Sequence, residues 1–281
     1  MIYFIVDKID NPYKYGDEIY NCDVPFASIS EILNIYTERM CYLTEIKYVR
    51  EITFDSSAVL TECSDIKNWF YTEDKITLLN IYELETVSTF RLLIDNYGLD
   101  VIQDPNPIEF VCAKRNIDLV RFLLNNGADG THGLYQAIGN SDEQMVKLLI
   151  DAGADVTFSN NLGEPIYNGD IEIIKLLINA GIDINSPTYL SLALECKNID
   201  VIKLLIENKI DVTVNKNQAI KFAFMTENME LIKILINAGA DIGAIDDATI
   251  EFHMKKNNRD IIDLLINLGI KIENTIFNIN Q

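Results

Sequence analysis

Histidine is almost missing from this chain of 281 residues. The two that exist, His132 and His253, stand in distant parts of the sequence and cannot share a site along an array of repeats. Histidine-based acid–base chemistry therefore has little to work with. Five cysteines, Cys22, Cys41, Cys63, Cys112 and Cys196, are odd in number and form no CxxC pair. That excludes paired-cysteine zinc spacing and suits a reducing compartment. Basic residues are also short, 23 Lys and Arg against 43 Asp and Glu, for a net charge of −20. Nucleic acid and anionic membranes attract basic surfaces, so neither is an expected partner, and a protein with a basic face is. No apolar run of about 18 residues is long enough to span a bilayer, and the opening MIYFIVDKID lacks the charged-then-apolar form of a secretory signal. An intracellular, soluble chain is expected. No Gly-rich phosphate loop, HExxH or GxSxG is present, so no catalytic, cofactor-binding or metal-ligating residues are assigned.

What the sequence does have is 48% hydrophobic residues, enough for a sizeable core. Residues 1–75 read as a small α+β domain. Ile2–Val6, Glu45–Phe54 and, more weakly, Ala58–Cys63 are rich in β-branched and aromatic residues and predict strands. Ser28 or Ser30 is placed to cap a helix running to about Arg39. Half of the chain's aromatic residues lie in this first quarter, including Trp69, Phe70 and Tyr71. Core and interdomain packing is the expected use for them, with a ligand pocket as the alternative.

From residue 76 to about 272 one recipe recurs. FLLNNGADG from Phe122, LLIDAGADV from Leu148, LLINAGIDI from Leu176, LLIENKIDV from Leu204, ILINAGADI from Ile234 and LLINLGIKI from Leu264 share it, with a looser RLLIDNYGLDV from Arg91. Six residues before each apolar core stands a side chain able to cap a helix: Thr86, Asn116, Asp142, Asp170, Asn198, Asn228 and Asn258. Fourteen residues before each core stands Leu78, Ile108, Leu134, Leu162, Leu190, Ile220 or Ile250, the expected anchor of a preceding short helix. Each unit thus predicts a short helix, a tight turn and a longer antiparallel helix. One such pair buries only a few aliphatic side chains at about 1.5–3 kcal/mol each, against backbone ordering of about 1–2 kcal/mol per residue, and should not fold alone. Stacking of about seven units, the first and last degenerate, gives a helical-hairpin solenoid. Residues 273–281 form a tail.

The long helix followed by Gly-Ala-Asp, in a helix pair of this length, resembles the ankyrin repeat. Thr188–Leu205, TYLSLALECKNIDVIKLL, is the nearest to that family's pattern, with Thr188, Leu190, Leu192 and Ala193 in place. The family's histidine position holds Glu109, Tyr135, Gly163, Ser191, Lys221 and Glu251 instead. Gly127, Gly153, Gly181, Gly239 and Gly269 are spaced by 26, 28, 58 and 30 residues, the 58 being two periods with Lys209 at the middle glycine position. The family period is about 33, so the loops between units should be short. The resemblance implies a non-enzymatic protein-binding scaffold whose partner lies across the loops and the inner faces of the short helices. The positions carried over are the loop residues Phe158, Asn217 and Asp246 and the short-helix residues Tyr167, Glu195, Met225 and Lys255.

Several positions are irregular. Pro165, just after Gly163, should shorten or distort its helix. Lys209 should adopt a left-handed conformation at some cost. His253 takes a small-residue position of its short helix and reads as a partly buried structural histidine. Pairs such as Glu172 with Lys175 and Asp200 with Lys203 suit surface pairing.

The arrangement as a whole, with CYLTEIKYVREITF from Cys41 and DIKNWFYTEDKITLL from Asp65, resembles the large ankyrin family of giant amoeba-infecting DNA viruses. This implies binding of host or viral proteins in the cytoplasm of an infected cell, with nucleus and virion left open. Two alternatives accompany the scaffold reading. One is an adaptor in which residues 1–75 recruit other machinery, such as a ubiquitin ligase. The other is an enzyme with its site near Tyr42, Tyr48 and Trp69.

Overall fold

The computed structural model describes residues 3–7, 18–19, 22–28, 48–62, 70–72, 75–102, 107–158 and 162–270. The chain divides into two compact units, 1–159 and 160–281. It is mainly helical, with helical hairpins of the ankyrin type following a strand-rich region.

In the first unit, alternation of apolar and polar residues produces two antiparallel sheets. One has the order β1 (Tyr3–Asp7), β4 (Tyr48–Phe54), β7 (Ile76–Glu83), β2 (Glu18–Ile19). The other has the order β3 (Cys22–Phe26), β6 (Phe70–Thr72), β5 (Thr61–Glu62). Phe4 and Ala27 exchange backbone hydrogen bonds at 2.9 and 3.2 Å and so join β1 to the end of β3. Phe26, Ile52, Ile76 and Leu78 form the buried core, with Phe54, Leu60 and Phe70 packed against it.

Of the expected strands, the first begins and ends one residue later than predicted, and the second is found over Tyr48–Phe54. The third is reduced to Thr61–Glu62. The helix expected up to Arg39 lies outside the described residues, as do Tyr42, Trp69 and the tail. One reading needs correction. Leu78 was expected to anchor the short helix of the first repeat, but it lies in β7, buried in the sheet core. Buried Ile76 and Leu78 alternate with the half-buried Thr77 and Leu79 at period two, and pairing with β4 satisfies the backbone that a helix would otherwise have to satisfy.

The repeats begin in earnest after α1 (Val87–Tyr97). In the first unit the pairs are α2 (Ile108–Ala113) with α3 (Ile117–Asn125) and α4 (Thr131–Gly139) with α5 (Glu143–Asp151). In the second they are α6 (Gly163–Asn168) with α7 (Ile171–Asn179) and α8 (Pro187–Glu195) with α9 (Ile199–Glu207). These are followed by α10 (Val214–Met225) with α11 (Met229–Asn237) and α12 (Asp247–Lys255) with α13 (Arg259–Asn267). Three residues of a long helix fill the core of its repeat, as Ile173, Ile174 and Leu177 do in α7 and Leu231, Ile232 and Leu235 do in α11. At about 1.5–3 kcal/mol each they are the main favourable contribution of a unit.

Two kinds of turn punctuate every pair. Long helices end in a Schellman motif: the Ala240 N–H reaches the Leu235 carbonyl at 2.9 Å and the Gly239 N–H reaches Ile236 at 3.0 Å, with Gly239 at φ +93°. Lys209 does the same at φ +67°, as expected. Short helices end likewise, but with Arg115, Ser141, Lys197, Glu227 and Asn257 at φ between +52° and +56°. The next residue then has two tasks. In Asn228 the N–H donates back to Ala223 at 3.1 Å, while the side-chain oxygen accepts from Leu231 N–H at 3.0 Å and caps α11.

Thr86, Asn116, Asp142 and Asn198 cap in the same way. Asp170 and Asn258 do not accept from the first turn, and Asn258 instead turns its amide to Glu227 at 3.3 Å. Pro165 shortens α6 to six residues, as expected, and is tolerated because it is the third residue, whose missing N–H has no partner within a helix anyway.

Candidate functional site: the exposed face of the repeats

In the second unit, α6 packs beside α8 and α8 beside α10. Residues at one register of these helices therefore form a column, and four of the sequence-selected residues occupy it. Tyr167 is 69% exposed and Met225 71% exposed, while Glu195 and Lys255 are also exposed. Each lies near the C-terminal end of its short helix, past the residues that enter the core, so the fold holds its backbone rigidly and leaves its side chain free. Lys255 pairs with Glu251 one turn earlier at 2.6 Å. Both ends of that bridge are open to water, so it contributes little to stability. The column thus alternates aromatic, acid, thioether and base.

The loop residues are placed differently. Asn217 belongs to a left-handed stretch, Asn215, Lys216 and Asn217 at φ +53°, +58° and +59°, that precedes the regular part of α10. Its Oδ1 accepts from the Asp241 N–H of the following loop at 3.2 Å, just as Thr131 Oγ1 in the first unit accepts from Asp155 N–H at 3.1 Å. Asp246 caps α12, accepting from Thr249 N–H at 2.8 Å and from its hydroxyl at 2.6 Å. These bonds hold its carboxyl below the ordinary value. Phe158, in the first unit, is 44% exposed, with its ring 4.9 Å from that of His132.

Other surface features escaped the sequence reading. Tyr135 and Phe252 are exposed large side chains on short helices. A file of loop aspartates recurs: Asp129, Asp155, Asp183, Asp211 and Asp241 each accept from the backbone N–H two residues on, at 2.8–2.9 Å. The legible signal was the Asp that follows Gly-Ala, Gly-Ile or, at Asp211, Lys-Ile, with a Thr, Asn or Gly two positions later, the composition of an Asx turn. Hydrogen bonds from Thr157 and Thr213 hold the Asp155 and Asp211 carboxyls low.

Cys112 is buried, and burial, with Asp142 and Glu109 nearby, raises its thiol pKa, which makes it a poor nucleophile. Among the described residues, no group of three His, Cys, Asp or Glu side chains is placed to hold a metal. The described helices include none long and apolar enough to cross a membrane.

A family model described as ankyrin repeats, three copies, matches residues 163–246. Residues 163–246 carry ankyrin repeats. The match spans the three helix pairs that hold Tyr167, Glu195 and Met225. Among solved structures, the crystal structure of the human ASB11 ankyrin repeat domain is similar at 19% identity, covering 56% of this chain and 80% of that one, with a TM-score of 0.43. No curated protein matches the chain.

Proposed function

We propose that the ankyrin repeats of the second unit are a non-enzymatic scaffold that binds a protein partner along the column Tyr167, Glu195, Met225 and Lys255. The observation that carries this reading is the exposure of Tyr167 and Met225 on a rigid helical face, since aromatic and methionine side chains are the types enriched at protein interfaces. Asn217 and Asp246 act by fixing the loops that border the column, and Phe158 is a separate contact position on the first unit. The net charge of −20 favours a partner with a basic face and disfavours nucleic acid and anionic membranes. The resemblance to the giant-virus ankyrin family supports a host or viral protein as partner, inside an infected cell.

The test is affinity capture with the full chain and with the double variant Tyr167→Ser, Met225→Ser, at matched folding by circular dichroism. Loss of the specific partners from the variant supports the column. Retention of every partner removes it, and partners that instead follow the strand-rich residues 1–75 point to the adaptor reading, in which that region recruits other machinery such as a ubiquitin ligase.

A further inference from the structure

The short helix α12 carries His253 where α4, α8 and α10 carry Ala137, Ala193 and Ala223. Its side chain is 0% exposed, and neither Nδ1 nor Nε2 has a hydrogen-bond partner. The ring lies against Phe252 at 5.2 Å and Phe224 at 6.3 Å. A neutral imidazole has one N–H and one lone pair, and a buried polar atom without a partner is costly. A second proton would add another unpaired donor and a full charge in the same apolar setting.

Two charged groups face the ring. Glu227, from the turn between α10 and α11, favours the proton, and Lys256, at the end of α12, opposes it. Glu227 is already engaged by Lys256 Nζ at 2.6 Å and by the Asn258 amide at 3.3 Å, so its attraction is largely taken up. The backbone of Phe224 also favours the charged form without completing a hydrogen bond. Burial outweighs these influences and holds the imidazole below the usual histidine range.

We propose that His253 makes the helix pair α12–α13 a proton-responsive unit of the repeat stack, which loosens from α10–α11 on mild acidification while the pairs before it stay closed. The sign follows from linkage. The folded protein resists the proton more than the unfolded chain does, so the stability of this pair is complete above the unfolded histidine pKa of about 6.5. It falls as the pH drops from there towards the depressed folded value and then levels off.

Hydrogen exchange of the full chain at pH 7.5 and 5.5, corrected for intrinsic rates, is the deciding experiment. Amides of Asp247–Asn267 should exchange at least about fivefold faster at the lower pH, with those of Pro187–Glu207 unchanged. His253→Asn and His253→Leu, one polar and one apolar but neither titratable, should each remove the acceleration. Acceleration that persists in both variants, that is missing from the parent protein, or that spreads equally over Pro187–Glu207 overturns the proposal. A proton NMR titration of the parent protein gives an independent reading, because there are only two histidines to assign. A His253 midpoint below about 6.5 supports the device, and one at or above it overturns it.

Discussion

Tyr97, the last residue of α1, donates its hydroxyl to Glu51 of β4 across 3.0 Å and ties the first helix to the middle of the four-stranded sheet. The same carboxylate oxygen accepts from Asn80 at 3.1 Å and from Tyr82 at 3.2 Å. The pairing of β4 with β7 shifts register between Arg50 and Ile52, at Glu51 itself. The two tyrosine hydroxyls are 2.5 Å apart, and Phe4 packs edge-on against Tyr97 at 5.2 Å. Burial raises the pKa of both phenols, so they remain donors throughout the physiological range.

Glu51 is itself buried, and removing it takes the shared acceptor away from two half-buried tyrosine hydroxyls, which are left only each other, while Asn80 is open to water. Glu51→Ala should cost about 2–4 kcal/mol, and Tyr97→Phe about 1 kcal/mol. The two should be non-additive, since they share one network. A double-mutant cycle by urea unfolding of the strand-rich region, followed by the fluorescence of Trp69, measures the coupling. Strict additivity would show that the cluster does not act as a unit.

Gly133 of α4 faces Cys112 of α2 so closely that an added Cβ would lie 2.7 Å from the sulfur. Both are buried, and neither helix has an easy direction in which to yield. Gly133→Ala should therefore destabilise by about 1–3 kcal/mol despite alanine's better helix propensity. Cys112→Ala in the same chain should recover part of that loss by removing the sulfur. Thermal unfolding of the two single variants and the double variant decides it, and a neutral Gly133→Ala would disprove the close approach.

The helix pairs were legible because three signals coincide: an apolar stripe at helical spacing, a residue able to cap before it and, in every repeat but the one with Lys209, a glycine after it. Leu78 was misread because a lone aliphatic residue at the right offset carries no period of its own, and the strand alternation around it was the better signal. The left-handed turns at Arg115, Ser141, Lys197, Glu227 and Asn257 could not be read at all, since no glycine marks them. Their conformation is imposed by the two hydrogen bonds that close each short helix. Of the surface column, the positions were readable from the repeat register, but exposure was not. Phe252 sits at the register of the buried Phe110, and only packing separates the two.

Lys209 stands at φ +67° where the other units have glycine, and its side chain is exposed. A residue with a Cβ pays about 1–2 kcal/mol for that conformation, while glycine loses about 0.5–1 kcal/mol more backbone entropy on folding. The balance favours Lys209→Gly by roughly 0.5–1 kcal/mol. The reverse change at Gly239, φ +93°, has no contact to clash with and should cost about 0.5–1 kcal/mol on the same balance, from the backbone alone. Chemical denaturation of both variants separates the backbone effect from packing, and a destabilised Lys209→Gly would refute the account.

Acid should act on the loops in a lower pH window than on His253. Asp211 and Asp246 have carboxyls held below their ordinary value of 3.8, chiefly by the hydroxyls of Thr213 and Thr249 and then by backbone N–H groups. A depressed carboxyl binds its proton less readily folded than unfolded, so its contribution is present above the unfolded pKa and disappears as the pH falls through the folded one. Asp211→Asn and Asp246→Asn keep an oxygen that can accept the same bonds but cannot be protonated. Each should be less stable than the parent protein at pH 7, because a charged acceptor bonds more strongly than a neutral one. The gap should close below about pH 3, when the parent's carboxyls are protonated. Urea unfolding at pH 7, 5 and 3 follows it. A gap that has not narrowed at pH 3 would mean that the Asx turns are held by shape alone.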